Sequence, residues 1–249
     1  MPAEDRAGSG GDALSARTAV VWSVLHGELG RGRTAQLSVV DVGGGTGGFA
    51  VPLAELGHKV TVVDPSPDAL ATLDRRARTS EVADRIRAIQ GDTDTLLDLV
   101  ATESADLVLC HSLLEVVDDP ELTLRLAAAV LRAGGALSLL VANRAAAVLS
   151  RAMGGHFADA ERALLDPAGR WGDGDGTSRR FDAARLLTML TTVGLSVEQL
   201  HGVRVVADLV PGAVADGAGE SLVGVELTLA GLSPYRDIAT QLHVLARKP

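Results

Sequence analysis

The sequence of 249 residues predicts an α/β fold, in which helices cover both faces of one doubly wound sheet. Three observations predict it. Short apolar segments alternate with helical ones, a glycine-rich turn follows the first apolar segment, and an aspartate ends the second. Continuous apolar strands are typical of a parallel sheet buried on both faces, and right-handed crossovers wind it in two directions. The segments together predict a Rossmann-like sheet of seven strands.

The strands and helices can be assigned in order along the chain. A helix over 13–29 comes first, and the helix at Ser66 has this residue as its N-cap and Pro67 at its first position. The fifth helical segment, DPELTLRLAAAVLRAGG, is expected to end at its glycine pair. A helix over GESLVGVELTLAGL separates the last two strands. The predicted strands are LSVVDV, KVTVVD, IRAIQ, DLVLCHS, ALSLLVA, LSVEQLHGVRVVADLV and IATQLHVLARKP.

The alternation of strands and helices lapses after Asn143. Residues 144–180 combine an Ala-rich helix with a polar loop, DPAGRWGDGDGTSRR. Because long loops in compact domains are usually functional or mobile, we interpret 143–181 as an insertion after strand five that caps the ligand edge of the sheet. Residues 1–12 are acidic and glycine-rich and are predicted to form a flexible tail, which leaves 13–249 as a single domain.

The composition narrows the possible functions. The net charge of −9 argues against general binding to nucleic acid, and the 2% of aromatic residues leaves few platforms for base stacking. The single Cys110 excludes an internal disulfide and a Cys-rich metal site, so no metal site is predicted. The chain shows neither a signal peptide nor an apolar run of the ~20 residues that cross a bilayer, and we expect a cytoplasmic protein without membrane partners.

The glycine-rich turn predicts a nucleotide-type cofactor. Gly43, Gly45 and Gly48 form a G-x-G-x-x-G pattern between a strand and a helix, and Asp64 ends the next strand. In dinucleotide-binding proteins an acid at this place binds the ribose hydroxyls. S-adenosylmethionine also has a ribose diol, and glycines let the backbone approach either ligand closely. The pattern therefore leaves both cofactors open.

Polar residues at other strand ends favour S-adenosylmethionine. Asp41 precedes the turn and can face the cationic end of this cofactor, or it can serve as a local turn acceptor. Asp92 follows the third strand and can accept from the adenine amino group, or it can cap the next helix. His111 follows the fourth strand, near the crevice at the carboxyl ends of the strands, although a His in an apolar segment is more often structural.

Five segments, in this order and spacing, resemble the class I S-adenosylmethionine-dependent methyltransferases: VVDVGGGTGG, TVVDPS, GDTDTL, DLVLCHSLLEVVDDP and LRAGGALSLLVAN. The resemblance implies the seven-stranded sheet of that class, S-adenosylmethionine as the cofactor, and a methyl acceptor as the substrate. An NAD-dependent oxidoreductase is the alternative from another class of enzyme. It would need a catalytic Tyr/Lys or His/Asp pair after strand four or five, and none can be picked out.

A narrower resemblance covers nearly the whole chain and points to the tRNA 5-carboxymethoxyuridine methyltransferases. It rests on CHSLLEVVDDP, LSLLVAN, HGVRVVADLV and LHVLARKP. These enzymes esterify the carboxylate of a modified wobble uridine, which makes tRNA a possible partner despite the acidic net charge. With Asp41 and Gly45 added from the turn itself, the predicted cofactor residues are Arg17, Asp41, Gly43, Gly44, Gly45, Asp64, Asp92, Thr93 and His111.

The substrate side departs from that resemblance. Arg204 in GVRVV is retained and is a predicted substrate contact, with His201 as a second candidate. The family's Arg-Tyr pair before the last strand is replaced by Thr240 and Gln241, which weakens a clamp for carboxylate and phosphate groups. A small-molecule O- or N-methyltransferase is therefore the alternative. A carboxylate acceptor needs no general base, so no catalytic residue is assigned.

Overall fold

The structure is a computed structural model that describes residues 15–31 and 36–249. The predicted tail at 1–12, the first two residues of the predicted N-terminal helix and residues 32–35 lie outside the described residues. Within the described ranges, no helix is long and apolar enough to span a bilayer.

One sheet of seven strands organises the fold, in the spatial order β3-β2-β1-β4-β5-β7-β6. Since β1 lies between β2 and β4, the order reverses there, and the predicted doubly wound sheet is confirmed. The strands are β1 Ser38–Val42, β2 Lys59–Asp64, β3 Ile86–Gln90, β4 Ala105–His111, β5 Leu131–Ala142, β6 Ser196–Val203 and β7 Gln241–Arg247.

The prediction of a parallel sheet is wrong for β7. This strand pairs antiparallel with both β5 and β6, whereas β1 to β5 pair parallel with one another. The residues of β7 from Leu242 to Ala246 are all buried. An antiparallel strand that is covered on both faces has the same continuous apolar pattern as a parallel one, so the sequence pattern does not distinguish them.

Nine helices connect the strands of the described chain. Ser66 Oγ accepts a hydrogen bond from the Ala69 N–H at 3.2 Å, which confirms the predicted N-cap. The fifth helix ends at Val130 rather than at the glycine pair, because β5 begins at Leu131 beside Ala105. The helices are α1 Ala19–Leu29, α2 Ala50–Glu55, α3 Pro67–Thr79, α4 Leu96–Leu99, α5 Pro120–Val130, α6 Arg144–Met153, α7 Phe157–Leu165, α8 Ala183–Thr192 and α9 Gly212–Leu229.

The sheet separates two apolar cores. Leu107 and Leu109 of β4 pack on the side of α1, α2 and α3, and Val108 and Cys110 pack on the side of α5 and α8. Burial raises the pKa of the Cys110 thiol to about 12, so this side chain is an ordinary buried apolar group at neutral pH. From Leu107 to Cys110, successive side chains of β4 point alternately into the two cores. The polar side chain of His111 follows them at the carboxyl end of the strand.

The segment between β5 and α8 contains two helices, α6 and α7, where the sequence indicated one. Its polar loop returns to the sheet at Phe181, which is fully buried and forms a parallel bridge with Asn143. Arg180 and Asp175 form a buried, bidentate ion pair within the loop. The loop is thus held by specific contacts, and its function as a cap stays a prediction.

Candidate functional site

The glycine turn is joined to the end of β2. Gly45 has φ +54°, and its N–H donates to Asp64 Oδ2 at 2.9 Å, while Asp64 Oδ1 accepts from the Ser66 N–H at 2.9 Å. A Cβ on Gly44 would lie 2.5 Å from Asp41 Oδ2, so a larger residue does not fit there. The turn therefore presents backbone to a ligand beside a fixed carboxylate.

Asp41 is a buried carboxyl group behind this turn. Burial, and then the charge of Asp64, raise the pKa of Asp41 to about 7. No donor within residues 15–31 and 36–249 forms a hydrogen bond with it, so the structure gives no support to its alternative role as a local turn acceptor. Two neighbouring carboxyl groups favour a cationic ligand. The sulfonium and amino groups of S-adenosylmethionine carry such a positive charge.

A cleft of about 200 Å³ opens at the carboxyl ends of the strands. It contains three predicted cofactor residues, Gly43, Asp92 and Thr93, and its apolar wall includes Leu113 and Val117. Asp92 Oδ1 accepts from the Thr93 N–H at 2.6 Å, so the capping role is present. The Asp92 side chain is also exposed in the cleft, and the two roles are compatible. A polar acceptor facing an apolar wall fits an adenine ring.

His111 lies beside the glycine turn. Its ring meets Phe49 edge-on, with centroids 4.6 Å apart, and Phe49 stacks on Trp22 at 5.2 Å. His111 Nε2 is 2.8 Å from Ser138 Oγ, whereas Nδ1 is shielded from solvent and has no partner among the described residues. Burial lowers the pKa of His111 to about 3, so the ring is neutral. One nitrogen is thus satisfied within the protein, and the other is unpaired among the described residues.

Arg17 and Arg204 converge on Asp208 at the same edge of the sheet. Arg17 lies in the turn before α1, outside the helix predicted for it, and its guanidinium is 3.3 Å from Asp208 Oδ1. Arg204 has φ +61° and forms an ion pair with Asp208, and Thr240 Oγ1 donates to Asp208 Oδ2 at 2.9 Å. The structure thus brings Arg17 together with the predicted substrate residue Arg204, and the cofactor role of Arg17 stays a prediction.

His201 lies in β6 opposite His243 of β7. Its ring stacks on that of His243 with centroids 6.4 Å apart, and it forms neither a hydrogen bond nor an ion pair with Asp208. Burial, and then the charge of Arg236, lower the pKa of His201. His243 is fully buried in β7. His156, in the segment between β5 and α8, is exposed.

Glu226 was not predicted, and it shapes the backbone after Arg204. Its fully buried carboxylate accepts hydrogen bonds from the N–H groups of Val205, Val206 and Ala207 at 2.9, 2.8 and 2.7 Å. These three donors follow the end of β6 and have no strand partner there. A single acid within the apolar run LVGVELTL was the available signal, since a buried acid requires nearby donors.

Arg179 was also missed, and it holds one wall of the cleft. Its guanidinium donates to the carbonyl oxygens of Leu114 at 3.0 Å, Val117 at 2.8 Å and Asp118 at 3.4 Å. In the same loop, Glu115 Oε1 accepts from the Ala142 N–H at 2.7 Å. The wall formed by 113–118 is therefore tied to the end of β5 and to the segment that follows it.

Comparison with known proteins places this site in a class of enzymes. A family model for a methyltransferase domain matches residues 40–139. The chain is 29% identical to the tRNA 5-carboxymethoxyuridine methyltransferase of Escherichia coli, over 94% of this chain and 88% of that one. It is 34% identical to a ubiquinone biosynthesis O-methyltransferase of Xanthomonas campestris, over 47% and 48%.

Two solved structures show the same fold. An S-adenosylmethionine-dependent methyltransferase from Mesorhizobium loti aligns with a TM-score of 0.64 and 20% identity, over 94% of this chain and all of that one. A geranyl diphosphate C-methyltransferase from Streptomyces coelicolor, solved with S-adenosyl-L-homocysteine, aligns with a TM-score of 0.60 and 15% identity, over 91% and 76%.

The matched domain makes the chain a methyltransferase, and its fold is that of the class I S-adenosylmethionine-dependent methyltransferases. Over nearly its full length it is similar in particular to the tRNA 5-carboxymethoxyuridine methyltransferase. The methyltransferase domain leaves the NAD-dependent alternative without support.

Proposed function

We propose that the chain methylates the carboxylate of a modified wobble uridine in tRNA and converts it to a methyl ester. The observation that carries this proposal is the extent of the similarity to the tRNA enzyme. It covers 94% of this chain, whereas the methyltransferase domain accounts for residues 40–139. The similarity thus extends to the part of the chain that contains Arg204. Two proteins that shared only a cofactor would not need to be similar there.

For the cofactor, we propose that each carboxylate binds a different part. Asp64, held by Gly45 and Ser66, accepts from the ribose hydroxyls, and Asp92 accepts from the adenine amino group in the cleft. Asp41 offsets the positive charge of the amino-acid and sulfonium end. The backbone of Gly43 to Gly45, together with Thr93 and His111, completes the set. The cavity, the acceptors and the glycines that admit no Cβ all fit this cofactor.

For the acceptor, we propose that its carboxylate binds at Arg204. Two guanidiniums and one hydroxyl already converge on the carboxylate of Asp208, so this corner suits that chemical group. Arg204 Nε is buried and has no partner among the described residues, which leaves one donor for an incoming oxygen. Arg17 contacts Asp208 through one nitrogen, and its exposed side chain has further N–H groups that can bind a ligand carboxylate, of the cofactor or the acceptor.

The chemistry asks little of the protein beyond orientation. When bound, S-adenosylmethionine supplies a methyl group on a positively charged sulfur, which a carboxylate can accept without first losing a proton. Burial lowers the pKa of His111, His201 and His243, so these rings are neutral and no base is required of them. Arg204 orients the acceptor, and the apolar wall of the cleft excludes water, which together supply proximity and alignment.

A small-molecule O- or N-methyltransferase is the second candidate, and two observations favour it. The net charge is −9, and the two residues before and at the start of β7 are neutral. Thr240 donates to Asp208, and Gln241 Nε2 donates to Ser112 Oγ at 3.3 Å, so both side chains are occupied within the protein. Fewer free cations at this edge mean weaker attraction for a phosphate backbone.

Nucleoside mass spectrometry of cellular tRNA tests the proposal. Cells without the gene are expected to accumulate the carboxylate form of the wobble uridine and to lose its methyl ester. Complementation with the natural gene restores the ester, and complementation with Arg204→Met does not. An unchanged nucleoside profile in the deletion strain contradicts the tRNA substrate and leaves the small-molecule candidate.

A further inference from the structure

A row of four polar side chains crosses the sheet from strand to strand. Only one of them, His111, belongs to the proposed cofactor site. His111, Ser138, His243 and His201 come from the adjacent strands β4, β5, β7 and β6. Ser138 and His243 are fully buried. Ser138 Oγ lies 2.8 Å from His111 Nε2 and also 2.8 Å from His243 Nε2, so a single hydroxyl joins the two rings.

The hydroxyl couples the proton positions of the two rings. A serine hydroxyl has one proton, so it can donate to one ring only and must accept an N–H from the other. Both rings are neutral, because burial lowers the pKa of each. In one arrangement, His243 carries its proton on Nε2 and His111 on Nδ1. In the other, His111 carries it on Nε2 and His243 on Nδ1.

The burial of the two rings distinguishes these arrangements. Nδ1 of His243 has no partner and lies in a residue with no solvent exposure. A proton there would leave an unpaired N–H in the interior, and such orphaned donors are rarer in proteins than unpaired acceptors. Nδ1 of His111 also lacks a partner and is shielded from solvent, but His111 itself is partly exposed and lies at the carboxyl end of β4, against Phe49 beside the glycine turn, so a cofactor bound at this turn is the acceptor that we expect for it.

We propose that Ser138 and His243 are positioning residues that hold His111 as its Nδ1–H tautomer. His111 then offers a hydrogen-bond donor to an acceptor atom of the cofactor, and the inference rests on the proposed cofactor role of His111. Ser138 donates to His111 Nε2 and accepts from His243 Nε2. Neither residue touches the ligand, and both act through His111.

Side-chain ¹⁵N NMR tests the tautomer directly. In the natural protein, the His111 signals are expected to show a protonated Nδ1, with assignment by the His111→Asn variant. Ser138→Ala is expected to move His111 to a mixture containing the Nε2–H form, and Ser138→Thr, which keeps the hydroxyl, is expected to retain the original tautomer. The exposed His156 is an internal reference whose signals stay unchanged. A protonated Nε2 on His111 in the natural protein overturns the proposal, even where a variant fails to fold.

Calorimetric binding of S-adenosylhomocysteine separates this inference from the proposed function. Ser138→Ala is expected to raise the dissociation constant about 3- to 10-fold, the range for one neutral hydrogen bond, and Ser138→Thr to restore it to within about twofold. An unchanged tautomer in Ser138→Ala refutes the positioning role. An unchanged dissociation constant in His111→Asn refutes the cofactor role of His111, whatever the tautomer.

Discussion

Oδ2 of Asp64 accepts a hydrogen bond from the N–H of Gly45 at 2.9 Å, so the carboxylate that ends β2 also fixes the turn that follows β1. The two strands are neighbours in the sheet, with Val42 beside Val63. Any ligand that approaches the backbone of this turn therefore meets the same carboxylate.

Asp64→Ala is expected to abolish the rise in melting temperature that S-adenosylhomocysteine produces, because it removes both the ribose acceptor and the anchor of Gly45. Differential scanning fluorimetry with and without the ligand measures this. Asp74→Ala is the matched control, since Asp74 lies exposed on α3, where it pairs with the exposed Arg78. An equal rise in both variants would contradict the role given to Asp64, and a rise with NAD alone would contradict the cofactor.

Asp41 predicts a pH dependence of stability. Its pKa is raised from 3.8 to about 7 in the folded chain, so the folded state holds this proton more tightly than the unfolded state. The contribution of Asp41 to stability is therefore full below about pH 4 and is lost as the pH rises to about 7. Asp41→Asn has no carboxyl group and does not undergo this loss. The melting temperature of the variant minus that of the natural protein is therefore expected to be larger at pH 8.5 than at pH 5.

The comparison of the two proteins at each pH cancels the titration of groups that they share. Asp98→Asn, at an exposed position of α4, is expected to show the same difference at both pH values. If the Asp41→Asn difference is equally independent of pH, the carboxyl of Asp41 does not have a raised pKa. The same variant is expected to bind S-adenosylmethionine more weakly at pH 8.5, because the carboxylate that faces its cationic end is lost.

Arg179→Met is expected to weaken the binding of S-adenosylhomocysteine about 5- to 20-fold, because three carbonyl groups of the cleft wall lose their charged donor. Isothermal titration calorimetry measures the change. Arg78→Met removes an exposed guanidinium on α3 and is expected to leave the dissociation constant unchanged. Equal affinities of the two variants would show that the wall keeps its shape without Arg179.

Glu226→Gln is expected to lower the free energy of unfolding by about 1–3 kcal/mol, because the carboxylate has two oxygens that accept from three backbone N–H groups, whereas the amide has only one acceptor oxygen. Urea unfolding measures this loss. Glu220→Gln, at an exposed position of the same helix, is expected to change stability by less than about 0.5 kcal/mol. A similar small change for Glu226 would contradict its role in holding the backbone after Arg204.

The parts of the site that follow from short, local patterns could be predicted from the sequence. The glycine turn and Asp64 belong to adjacent strands, and their meeting is a consequence of the doubly wound order. The place of Asp92 after β3 and of His111 at the end of β4 also follows from strand ends alone. The residues that contact Asp92 and His111 in the folded chain cannot be predicted from the strand ends.

The contacts between distant segments could not be predicted. Ser138 and His243 are 105 residues apart and meet because β7 inserts antiparallel between β5 and β6, a direction that its apolar sequence does not reveal. Arg179 reaches a loop more than 60 residues earlier. The ion pairs of Arg17 and Arg204 with Asp208 likewise depend on how the turn before α1 packs near the end of β6.

The most direct test of the proposed function is methyl transfer by the purified chain. The chain is incubated with labelled S-adenosylmethionine and tRNA from a strain that lacks the gene, and the digested nucleosides are analysed by mass spectrometry. We predict a labelled methyl ester on the wobble uridine carboxylate with the natural chain and none with Arg204→Met or Asp64→Ala. The absence of label from tRNA, with a natural chain that binds S-adenosylhomocysteine, would contradict the tRNA substrate.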